Sequence, residues 1–443
     1  MIDLNPEFQQ AIKRIESGES NLFITGKAGT GKSTLLEYFR NNTDKKVAIL
    51  APTGVAALNV NGQTIHSFFH FTPYITPKDA KDQRVSTELK NIINSVDIII
   101  IDEVSMVRAD LMDCVDQALR NCVGDPYVPF GGIQMVFIGD IYQLPPVVSG
   151  DEEREMFKSV YPSPYFFDAH VFQDGTINHI ELTTIYRQQD QDFINLLSSI
   201  RNNTVGHQHL QYLNQRHNPT YQTQESEITL TTTNAAAREI NQEELQRLEG
   251  EMTVFEGKAT GGFENKQLPT EEILKIKKKA QVMMLNNDPA GRWVNGSMGV
   301  VEAIGWDDER EQDVLKVRLS TGKIVDVLPH TWDLNRYLYD ADSQSLDTEA
   351  IGSFTQYPLR LAWAVTIHKS QGKTFDRVVV DIGRGTFAHG QMYVALSRCT
   401  SMDGLILRKA IEKRHIKMDW RVSNFMKDQE NMWQAGQGMM KNM

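Results

Sequence analysis

The sequence predicts an α/β protein built on parallel sheets, and three observations support this fold class. Short strands made almost entirely of apolar residues alternate with helical patterns, as in a parallel sheet whose two faces are both covered by helices. Each of the first four strands runs directly into a loop of small and polar residues. Similar strands recur near the C-terminus, after a middle segment of alternating apolar residues and Gly-containing turns. We therefore expect two parallel-sheet lobes and a small inserted barrel.

The first lobe begins with a helix over residues 5–18, followed by four apolar strands over residues 22–24, 47–50, 98–101 and 135–138. These strands lead into the loops at residues 26–33, 51–54, 102–106 and 139–147. Ligands of parallel sheets bind beyond the carboxyl ends of the strands. The four loops are therefore expected to share one crevice.

Residues 26–33 read GKAGTGKS and match the phosphate-binding pattern G-x-x-x-x-G-K-[ST] at every fixed position. Glycines let the backbone wrap around phosphate oxygens, and the amides at the start of the following helix carry partial positive charge. The strand before the loop and the helix after it favour nucleotide binding over a Gly-rich turn with a chance lysine. The predicted nucleotide contacts in this segment are Gly26, Ala28, Gly29, Thr30, Gly31, Lys32, Ser33 and Thr34.

The Asp102-Glu103 pair follows four isoleucines and predicts the metal and water chemistry of a nucleotide hydrolase. Asp102 and the Ser33 hydroxyl are placed to hold Mg²⁺, while Lys32 reaches the β- and γ-phosphates. Glu103 is placed to deprotonate the attacking water. Gln143 could contact the γ-phosphate, although a polar loop residue needs no such role. Wet loops often carry acidic residues, but an adjacent pair after a buried strand favours function.

Residues 62–71 combine hydroxyls, imidazoles and phenylalanines beside the predicted crevice. Aromatic rings can stack on unpaired bases, and Thr, Ser and His can donate hydrogen bonds to phosphates. We expect at least one of the phenylalanines to be a core residue instead. The irregular, Pro- and Lys-containing residues 72–84 are expected to leave the lobe as an excursion.

Composition excludes several classes of protein. The 443 residues, 40% of them hydrophobic, are enough for two to four domains with a large core. No apolar run approaches the roughly 20 residues of a membrane span, and three cysteines are too few for a disulfide framework. We expect a cytoplasmic protein without membrane contact. The net charge of −11 argues against a generally basic nucleic-acid coat but permits a local groove.

The second lobe is predicted from strands over residues 228–231, 377–381 and 404–407 and a helix over residues 391–398. That helix carries Arg398, which could stabilise phosphoryl charge on a nucleotide or form a surface salt bridge; both readings stay open from the residues alone. The lysine run at residues 275–279 invites a nucleic-acid role, but a solvated strand edge is the commoner use of such a run.

The ordered motifs resemble those of PIF-type (petite integration frequency) DNA helicases, RecD-like members of superfamily 1. They are GKAGTGKS (26–33), APTG (51–54), TIHS (64–67), DEVSM (102–106), GDxxQLPP (139–146), IYRQ (185–188), TIHKSQGKTFD (366–376) and GQMYVALSRC (390–399). Several of these motifs are long enough to be highly specific, and together they extend over about residues 4–400.

The resemblance implies ATP-driven, Mg²⁺-dependent 5′→3′ movement on single-stranded DNA with unwinding of forked or structured duplex, by a monomeric motor. Arg187 and Arg398 would reach the γ-phosphate from the second lobe, with Gly372 and Lys373 near the same site. A glutamine near the N-terminus recognises adenine in relatives; Gln9 and Gln10 both qualify, and Gln10 is favoured. The implied DNA contacts are Thr53, Gly54, Thr64, His66, Phe68, Pro145, Thr366 and His368.

The implied architecture is two RecA-like lobes with an SH3-like barrel inserted in the second lobe and a short wedge in the first. The predicted domains are residues 1–180 for the first lobe (with 62–84 as the wedge), 181–240 and 359–420 for the second, 241–358 for the barrel and 421–443 for a helical tail. Two rival functions stay open: an RNA- or hybrid-directed motor of the same type, and an ATP-switched nucleic-acid clamp that does not unwind.

Overall fold

The computed structural model describes residues 4–148, 150–173, 177–261, 263, 268–309, 311–340 and 345–440. The chain forms two compact units: the first comprises Met1–Tyr186, Asn335–Ala350 and Met418–Met443, and the second comprises Arg187–Leu334 and Ile351–Lys417. This division assigns part of the predicted barrel insertion, and the predicted tail, to the first unit. None of the helices in the described ranges has the length and hydropathy that crossing a membrane would require.

The helices, in chain order, are α1 Pro6–Ser17, α2 Lys32–Asn42, α3 Gly54–Asn59, α4 Ile65–Phe68, α5 Pro77–Asp82, α6 Thr87–Ser95, α7 Ala109–Val123, α8 Asp151–Val160, α9 Gln191–Arg201, α10 His207–Asn214, α11 Asn234–Arg247, α12 Gln391–Leu396 and α13 Trp420–Met440.

The strands, in chain order, are β1 Leu22–Gly26, β2 Val47–Ala51, β3 Gln63–Thr64, β4 Ile98–Ile101, β5 Gln134–Ile138, β6 Asn178–Leu182, β7 Ile228–Thr231, β8 Thr253–Glu256, β9 Lys258–Gly261, β10 Ile273–Ile276, β11 Gln281–Met284, β12 Met298–Asp307, β13 Gln312–Leu319, β14 Ile324–Val327, β15 His330–Asp340, β16 Ser345–Gln356, β17 Leu359–Leu361, β18 Ala364–Thr366, β19 Val378–Asp381 and β20 Leu405–Leu407.

The first unit is built on a six-stranded sheet in the order β3-β2-β4-β5-β1-β6. Every registered pair in this sheet is parallel. All four residues of β4 are fully buried, which explains why the strand is an unbroken run of isoleucine. The prediction of a parallel sheet is confirmed, and the loops after β1, β2, β4 and β5 leave it at one edge.

Helix α1 closes one face of this sheet. The Asn5 side chain caps the helix by accepting a hydrogen bond from the Phe8 amide at 2.8 Å, and the helix ends at Gly18, whose φ of 70° is left-handed. Phe8 and Ile15 belong to the same buried cluster as Ile100 of β4. The N-terminal segment is thereby held against the strands that carry the predicted site.

The excursion at residues 72–84 contains a helix rather than wholly irregular chain, which corrects the sequence prediction. Helix α5 starts with a capping box in which Thr76 and Asp79 satisfy each other's backbone amides. The Asn121 side chain of α7 donates hydrogen bonds to the carbonyls of Ala80 at 3.1 Å and Lys81 at 2.9 Å. The helix is therefore attached to α7, whereas the neighbouring Tyr74 is 91% exposed.

The second unit contains a parallel sheet in the order β18-β7-β19-β20. Helix α11 is attached to the edge strand β18 through Asn241, whose side chain donates to the Ala364 carbonyl at 2.7 Å and accepts from the Ala364 amide at 2.9 Å. Two backbone groups of an otherwise open strand edge are satisfied in this way. The second predicted parallel sheet is therefore present.

The inserted segment forms an antiparallel sheet in the order β14-β13-β12-β11-β17 and a second sheet in the order β15-β16-β9. Alternate apolar residues of the first sheet, including Val282, Val301 and Val317, make one buried core. The antiparallel insertion was predicted, whereas the long strands β15 and β16 were not. Its classification as an SH3-like barrel stays a prediction.

Residues at the end of β15 lie in the first unit. The Tyr337 hydroxyl accepts a hydrogen bond from the Ile49 amide of β2 at 2.9 Å, and its ring meets the Phe68 ring edge-on at 5.7 Å. Strand β3 pairs only with Leu50 and Ala51, so Tyr337 satisfies an amide of β2 beside that short strand.

Helix α13 is part of the first unit and packs against residues 162–167. The Phe425 ring stacks on the Phe167 ring at 4.2 Å, and Arg421 donates a hydrogen bond to the Pro162 carbonyl at 3.1 Å. Of the predicted tail over residues 421–443, the last three residues lie outside the described ranges.

Candidate nucleotide and nucleic-acid sites

The loop after β1 has the close packing that its glycines predict. A Cβ at Gly26 would lie 2.6 Å from the Thr30 Oγ1 atom and 2.7 Å from the Leu182 carbonyl oxygen, so no other residue fits there without displacing backbone. Gly29 and Gly31 both have a left-handed φ of 84°. Ala28 and Thr30 are buried within the loop. The turn is therefore compact and its geometry depends on glycine.

Lys32, the first residue of α2, folds over this loop. Its Nζ atom donates hydrogen bonds to the Gly26 carbonyl at 2.8 Å and the Lys27 carbonyl at 3.1 Å. Ser33 and Thr34 follow in the first helical turn and are exposed. An ammonium group on loop carbonyls beside a helix N-terminus is suited to receive phosphate oxygens.

Helix α1 packs against this loop. The Cζ atom of Phe8 lies 2.9 Å from the position that a Cβ would take at Gly31, so the phenyl ring occupies the space that a side chain would need. Gln9 and Gln10 are both exposed, and the Gln9 side chain donates a hydrogen bond to the Leu4 carbonyl at 2.8 Å. The adenine contact at Gln10 stays a prediction.

Asp102 lies at the carboxyl end of β4, where its amide donates to the Leu50 carbonyl at 2.9 Å and only 8% of the residue is exposed. Burial raises the pKa of the Asp102 carboxyl, while the Glu103 amide and the Lys32 charge oppose that rise. Glu103 has a left-handed φ of 49°, which turns the chain directly after the strand. The sheet thus brings Lys32 and Asp102 into electrostatic contact.

Gln143 lies on the loop after β5. Its side chain donates to the Asp140 carboxylate at 3.2 Å, and both residues are buried. At the start of the loop, a Cβ on Gly139 would lie 3.1 Å from the Val104 Cγ1 atom, which shows how closely the loops after β4 and β5 approach. Gln143 therefore belongs to the same edge of the sheet as Asp102.

The residues at this edge fit a magnesium nucleotide. Mg²⁺ prefers oxygen ligands and is commonly bound by one or two carboxylates together with the phosphates of the substrate. Asp102 supplies a carboxylate whose burial disfavours its charge, an effect that a nearby divalent cation would reverse. Ser33 supplies a hydroxyl. Bound Mg²⁺ would neutralise phosphate charge during hydrolysis.

Thr53 and Thr64 each cap a short helix at the carboxyl edge of the same sheet. The Thr53 hydroxyl accepts from the Ala56 amide at 3.3 Å, and the Thr64 hydroxyl accepts from the Ser67 amide at 3.2 Å. A hydroxyl that accepts in this way still carries a hydrogen that it can donate to a phosphate. Capping and strand contact are therefore compatible at Thr53 and Thr64, and Gly54 begins the first of the two helices.

Phe68 is a core residue in this structure, which corrects its prediction as a DNA contact. It is 3% exposed, and its ring meets the Phe69 ring edge-on at 4.9 Å as well as the ring of Tyr337. A base has no access to a ring enclosed in this way. His66 and Pro145, by contrast, are only partly buried.

The second unit brings the two predicted arginines close to one another. Arg398 is 1% exposed, and its guanidinium donates to the Val394 carbonyl at 3.1 Å, the Lys373 carbonyl at 3.3 Å and the Ser397 hydroxyl at 3.0 Å. Arg187 donates to the Ser397 carbonyl at 3.1 Å. Burial lowers the pKa of Arg187. The guanidinium of Arg398 is therefore held by carbonyl and hydroxyl oxygens of its own unit.

Lys373 is a partly buried lysine of the second unit. Burial, with a smaller contribution from the Arg360 charge, lowers the pKa of Lys373 to about 7. Its Nζ atom donates a short hydrogen bond to the Asn295 side chain. Gly372, directly before it, has a left-handed φ of 77°. An amine with this pKa gains charge when an anion binds beside it.

Thr366 ends β18, and its hydroxyl accepts a hydrogen bond from the Lys369 amide at 3.3 Å. His368 follows, and burial lowers its pKa. The ring of Phe387 stacks on the His368 ring at 6.0 Å with an 11° interplanar angle, although Phe387 is 59% exposed. Phe387 is not among the residues predicted from the sequence, although its place in a Gly-rich loop just before α12 was an available signal.

Comparison with known proteins identifies the family. The model of the PIF1-like helicase family matches residues 3–210. The ATP-dependent DNA helicase Pif1 of Bdellovibrio bacteriovorus is 32% identical over 97% of this chain and 93% of its own length. The chain belongs to the PIF1-like helicase family.

Solved structures of this family agree with the fold. Bacteroides Pif1 in complex with ADP-AlF4 matches with a TM-score of 0.88 at 35% identity, covering 98% of both chains. Bacteroides Pif1 bound to single-stranded DNA matches with a TM-score of 0.70 at 36% identity, covering 97% of both chains. The α/β architecture with parallel sheets is thus that of PIF1-like helicases.

Proposed function

We propose that this chain is an ATP-dependent DNA helicase that moves 5′→3′ along single-stranded DNA and unwinds duplex or structured DNA. The observation that carries this proposal is the convergence of Lys32, Asp102 and Gln143 at one edge of a parallel sheet in a member of the PIF1-like helicase family. Relatives bound to ADP-AlF4 and to single-stranded DNA support the same pair of ligands here.

ATP hydrolysis would use the residues at this edge. Lys32 would exchange its loop carbonyls for the β- and γ-phosphates, Ser33 and Asp102 would hold Mg²⁺, and Glu103 would take a proton from the attacking water. Gln143 would contact the γ-phosphate. Gln10 would recognise adenine.

The two arginines would add charge stabilisation to the same phosphoryl group. Arg187 and Arg398 lie in motifs that match the family, and an arginine of this kind is worth about 10³–10⁵ in rate. Arg398→Ala should therefore retain ATP binding, measured with a fluorescent ATP analogue, and lose most DNA-stimulated turnover. Normal turnover in Arg398→Ala would show that this assignment is wrong.

The strand would be held through phosphates and base stacking rather than base edges, so binding would tolerate any sequence. Thr53, Thr64 and Thr366 supply hydroxyls for phosphates. His368 supports the exposed ring of Phe387, which is suited to stack on a base. A sequence-tolerant grip is what a translocating motor requires.

Tyr74 is the residue we propose as the contact with the duplex at the fork, because it is 91% exposed beside a helix anchored to α7. Tyr74→Ala should slow unwinding of forked DNA while leaving ATP hydrolysis stimulated by single-stranded DNA unchanged. Tyr127, which is 89% exposed, provides the matched control substitution. Equal losses in unwinding and ATP hydrolysis would contradict the assignment of Tyr74.

The direct test is ATP-dependent unwinding of duplexes that carry either a 5′ or a 3′ single-stranded tail. We expect activity on the 5′-tailed substrate. Activity on the 3′-tailed substrate alone would overturn the polarity, and strand binding without unwinding of any substrate would favour an ATP-switched clamp. Stronger stimulation of ATP hydrolysis by RNA than by DNA oligonucleotides would favour the RNA-directed motor.

Analytical ultracentrifugation of the protein on a short oligonucleotide tests whether the motor is a monomer. We expect one chain per strand.

A further inference from the structure

An open pocket of about 380 Å³ lies in the second unit between α11, β10, β17 and β18. Its volume falls in the range of ligand sites, roughly 300–1,000 Å³. We call it the basic pocket and define it by the side chains of Arg238, Lys275, Arg360, Thr366 and Lys369. None of these cations has a role in the site described above.

The charge of the basic pocket is opposite to that of the chain. Among the described residues, four cations line it against one carboxylate, Glu271, whereas the whole chain has a net charge of −11. Burial lowers the pKa of Lys369, and the charges of Arg360 and Arg238 lower it further, while the Glu271 carboxylate opposes this. The cations are therefore close enough to repel one another, and a bound anion would relieve that repulsion.

Arg360 gives a second indication of a ligand. Its Nη2 atom donates to the Pro269 carbonyl at 2.5 Å, but its Nε atom is inaccessible to solvent and has no hydrogen-bond partner among the described residues. A buried donor that is left without a hydrogen bond destabilises the folded protein. Such a cost is tolerated most readily where a ligand compensates it.

The walls of the basic pocket are held in place before any ligand binds. Asn241 attaches α11 to the backbone of β18 by two hydrogen bonds, and Arg238 lies one turn earlier on the same helix. On β10, Leu274 and Ile276 face the core, so Lys275 projects from the other face of the strand. The cations thus stand on packed elements.

The basic pocket lies beside the predicted strand contacts of the second unit. Thr366 lines the pocket and ends β18, and it pairs with Thr231 at the end of the parallel neighbour β7. Asn234, the first residue of α11, lines the pocket as well. The pocket therefore opens at the carboxyl edge of the second sheet, next to His368.

We infer that the basic pocket binds backbone phosphates of the single strand, with Arg238 and Lys275 as direct phosphate contacts and Arg360 as the buried cation beneath them. The inference rests on the proposed function, because it assumes that the second unit holds a nucleic-acid strand. Under this inference Lys275 of the lysine run contacts the strand, the less common use of such a run, whereas Lys278 of the same run does not line the pocket.

The test is the salt dependence of single-strand binding by the double variant Arg238→Gln with Lys275→Gln, measured by fluorescence anisotropy on an oligothymidine. Each phosphate contact to single-stranded DNA contributes about 0.7 to the slope of log affinity against log salt. Loss of two contacts should lower the slope by about 1.4, which reduces the affinity change between about 50 and about 200 mM salt by about sevenfold.

The matched control replaces two exposed lysines of the same unit outside the pocket, Lys278→Gln with Lys323→Gln. It removes the same charge and should keep the wild-type slope. Arg238→Lys with Lys275→Arg should keep the slope too, because phosphate contacts need the charge. Thermal melting verifies that each variant is folded.

Removal of a negative charge from the pocket provides an independent test, because it should strengthen strand binding rather than weaken it. Glu271 is exposed and is the one carboxylate that the described part of the chain places in the basic pocket, so Glu271→Gln should tighten strand binding by about two- to threefold at low salt. Unchanged or weaker binding by this variant would count against phosphate in the pocket.

The remaining outcomes distinguish DNA phosphate from free polyphosphate and from RNA, and they distinguish failure of this inference from failure of the proposed function. A wild-type slope in the Arg238 and Lys275 variant, from a protein that still unwinds tailed duplexes, overturns the inference alone. Failure of the wild-type chain to bind or unwind DNA overturns the proposed function instead. Inorganic tripolyphosphate that binds the wild type more tightly than the variant, with equal DNA slopes, would assign the pocket to a free polyphosphate. A reduced slope on RNA alone would assign it to RNA.

Discussion

Lys373 predicts a measurable dependence of stability on pH in the second unit. In the folded state its pKa is about 7, below the ordinary value of 10.5 that an unfolded chain would show. Between these two values the unfolded state binds more protons than the folded state, so stability rises with pH. Lys373 therefore destabilises the unit most strongly below the folded pKa, and the penalty fades as pH approaches the unfolded pKa.

The magnitude follows from the difference between the two pKa values, at about 1.4 kcal/mol per pKa unit. Near pH 6 the partly buried ammonium should cost roughly 5 kcal/mol, and near pH 9 roughly 2 kcal/mol. The wild-type unit should therefore gain roughly 3 kcal/mol over this interval from Lys373 alone. Lys373→Met keeps the length of the side chain and removes the titrating group, so this gain should vanish.

The assay is native-state hydrogen exchange across a denaturant series, followed in peptides from β18 and β19 without nucleotide. Other groups titrate in both proteins, so the informative quantity is the difference between wild type and Lys373→Met at each pH. Lys278→Met, at an exposed position, is the control and should follow the wild type. If Lys373→Met and wild type have parallel pH dependences, burial of this amine does not produce the predicted penalty, and the reasoning is wrong.

Three further predictions concern substitutions at Tyr337, Gly26 and Phe387. Tyr337→Phe removes the hydroxyl that accepts a hydrogen bond from the buried Ile49 amide. Because an unmet buried hydrogen bond costs about 1–3 kcal/mol, hydrogen exchange of that amide should accelerate by about tenfold or more. Unaltered exchange in an NMR time course would contradict this. Gly26→Ala places a Cβ against the Leu182 carbonyl, so ATP affinity measured by calorimetry should fall while the far-UV circular dichroism stays that of a folded protein. Phe387→Ala should weaken single-strand binding by about tenfold and Phe387→Trp should not, since stacking on one base is worth about 1–3 kcal/mol; equal affinities in anisotropy would exclude the stacking role.

Local sequence patterns were sufficient for the strands and the phosphate loop. Ile98–Ile101 is fully apolar because both faces of the strand are covered, and that property alone predicts a central parallel strand. The glycines of residues 26–33 are required by contacts inside one turn, so their spacing carries the prediction without knowledge of the rest of the fold. Asp102 and Glu103 could be placed for the same reason, since strand ends in a parallel sheet meet at one edge.

Contacts between distant segments could not be read in this way. Phe68 lies in a segment whose pattern suits either a base or a core, and burial against Phe69 and Tyr337 decided for the core. The Ile49 amide of β2 donates its hydrogen bond to the Tyr337 hydroxyl, and these two residues are far apart in the sequence. No periodicity in either segment encodes that hydrogen bond.

The sequence by itself determined a phosphate loop, two parallel sheets and an ordered set of motifs, because each depends on neighbours within a few residues. Only the tertiary structure showed that Arg238, Lys275, Arg360 and Lys369 line one pocket, and that Asn295 lies against the amine of Lys373. These side chains come from separate helices, strands and loops. The burial of Arg360, Lys369 and Lys373, and the repulsion of both lysines by the Arg360 charge, exist only after the chain has folded.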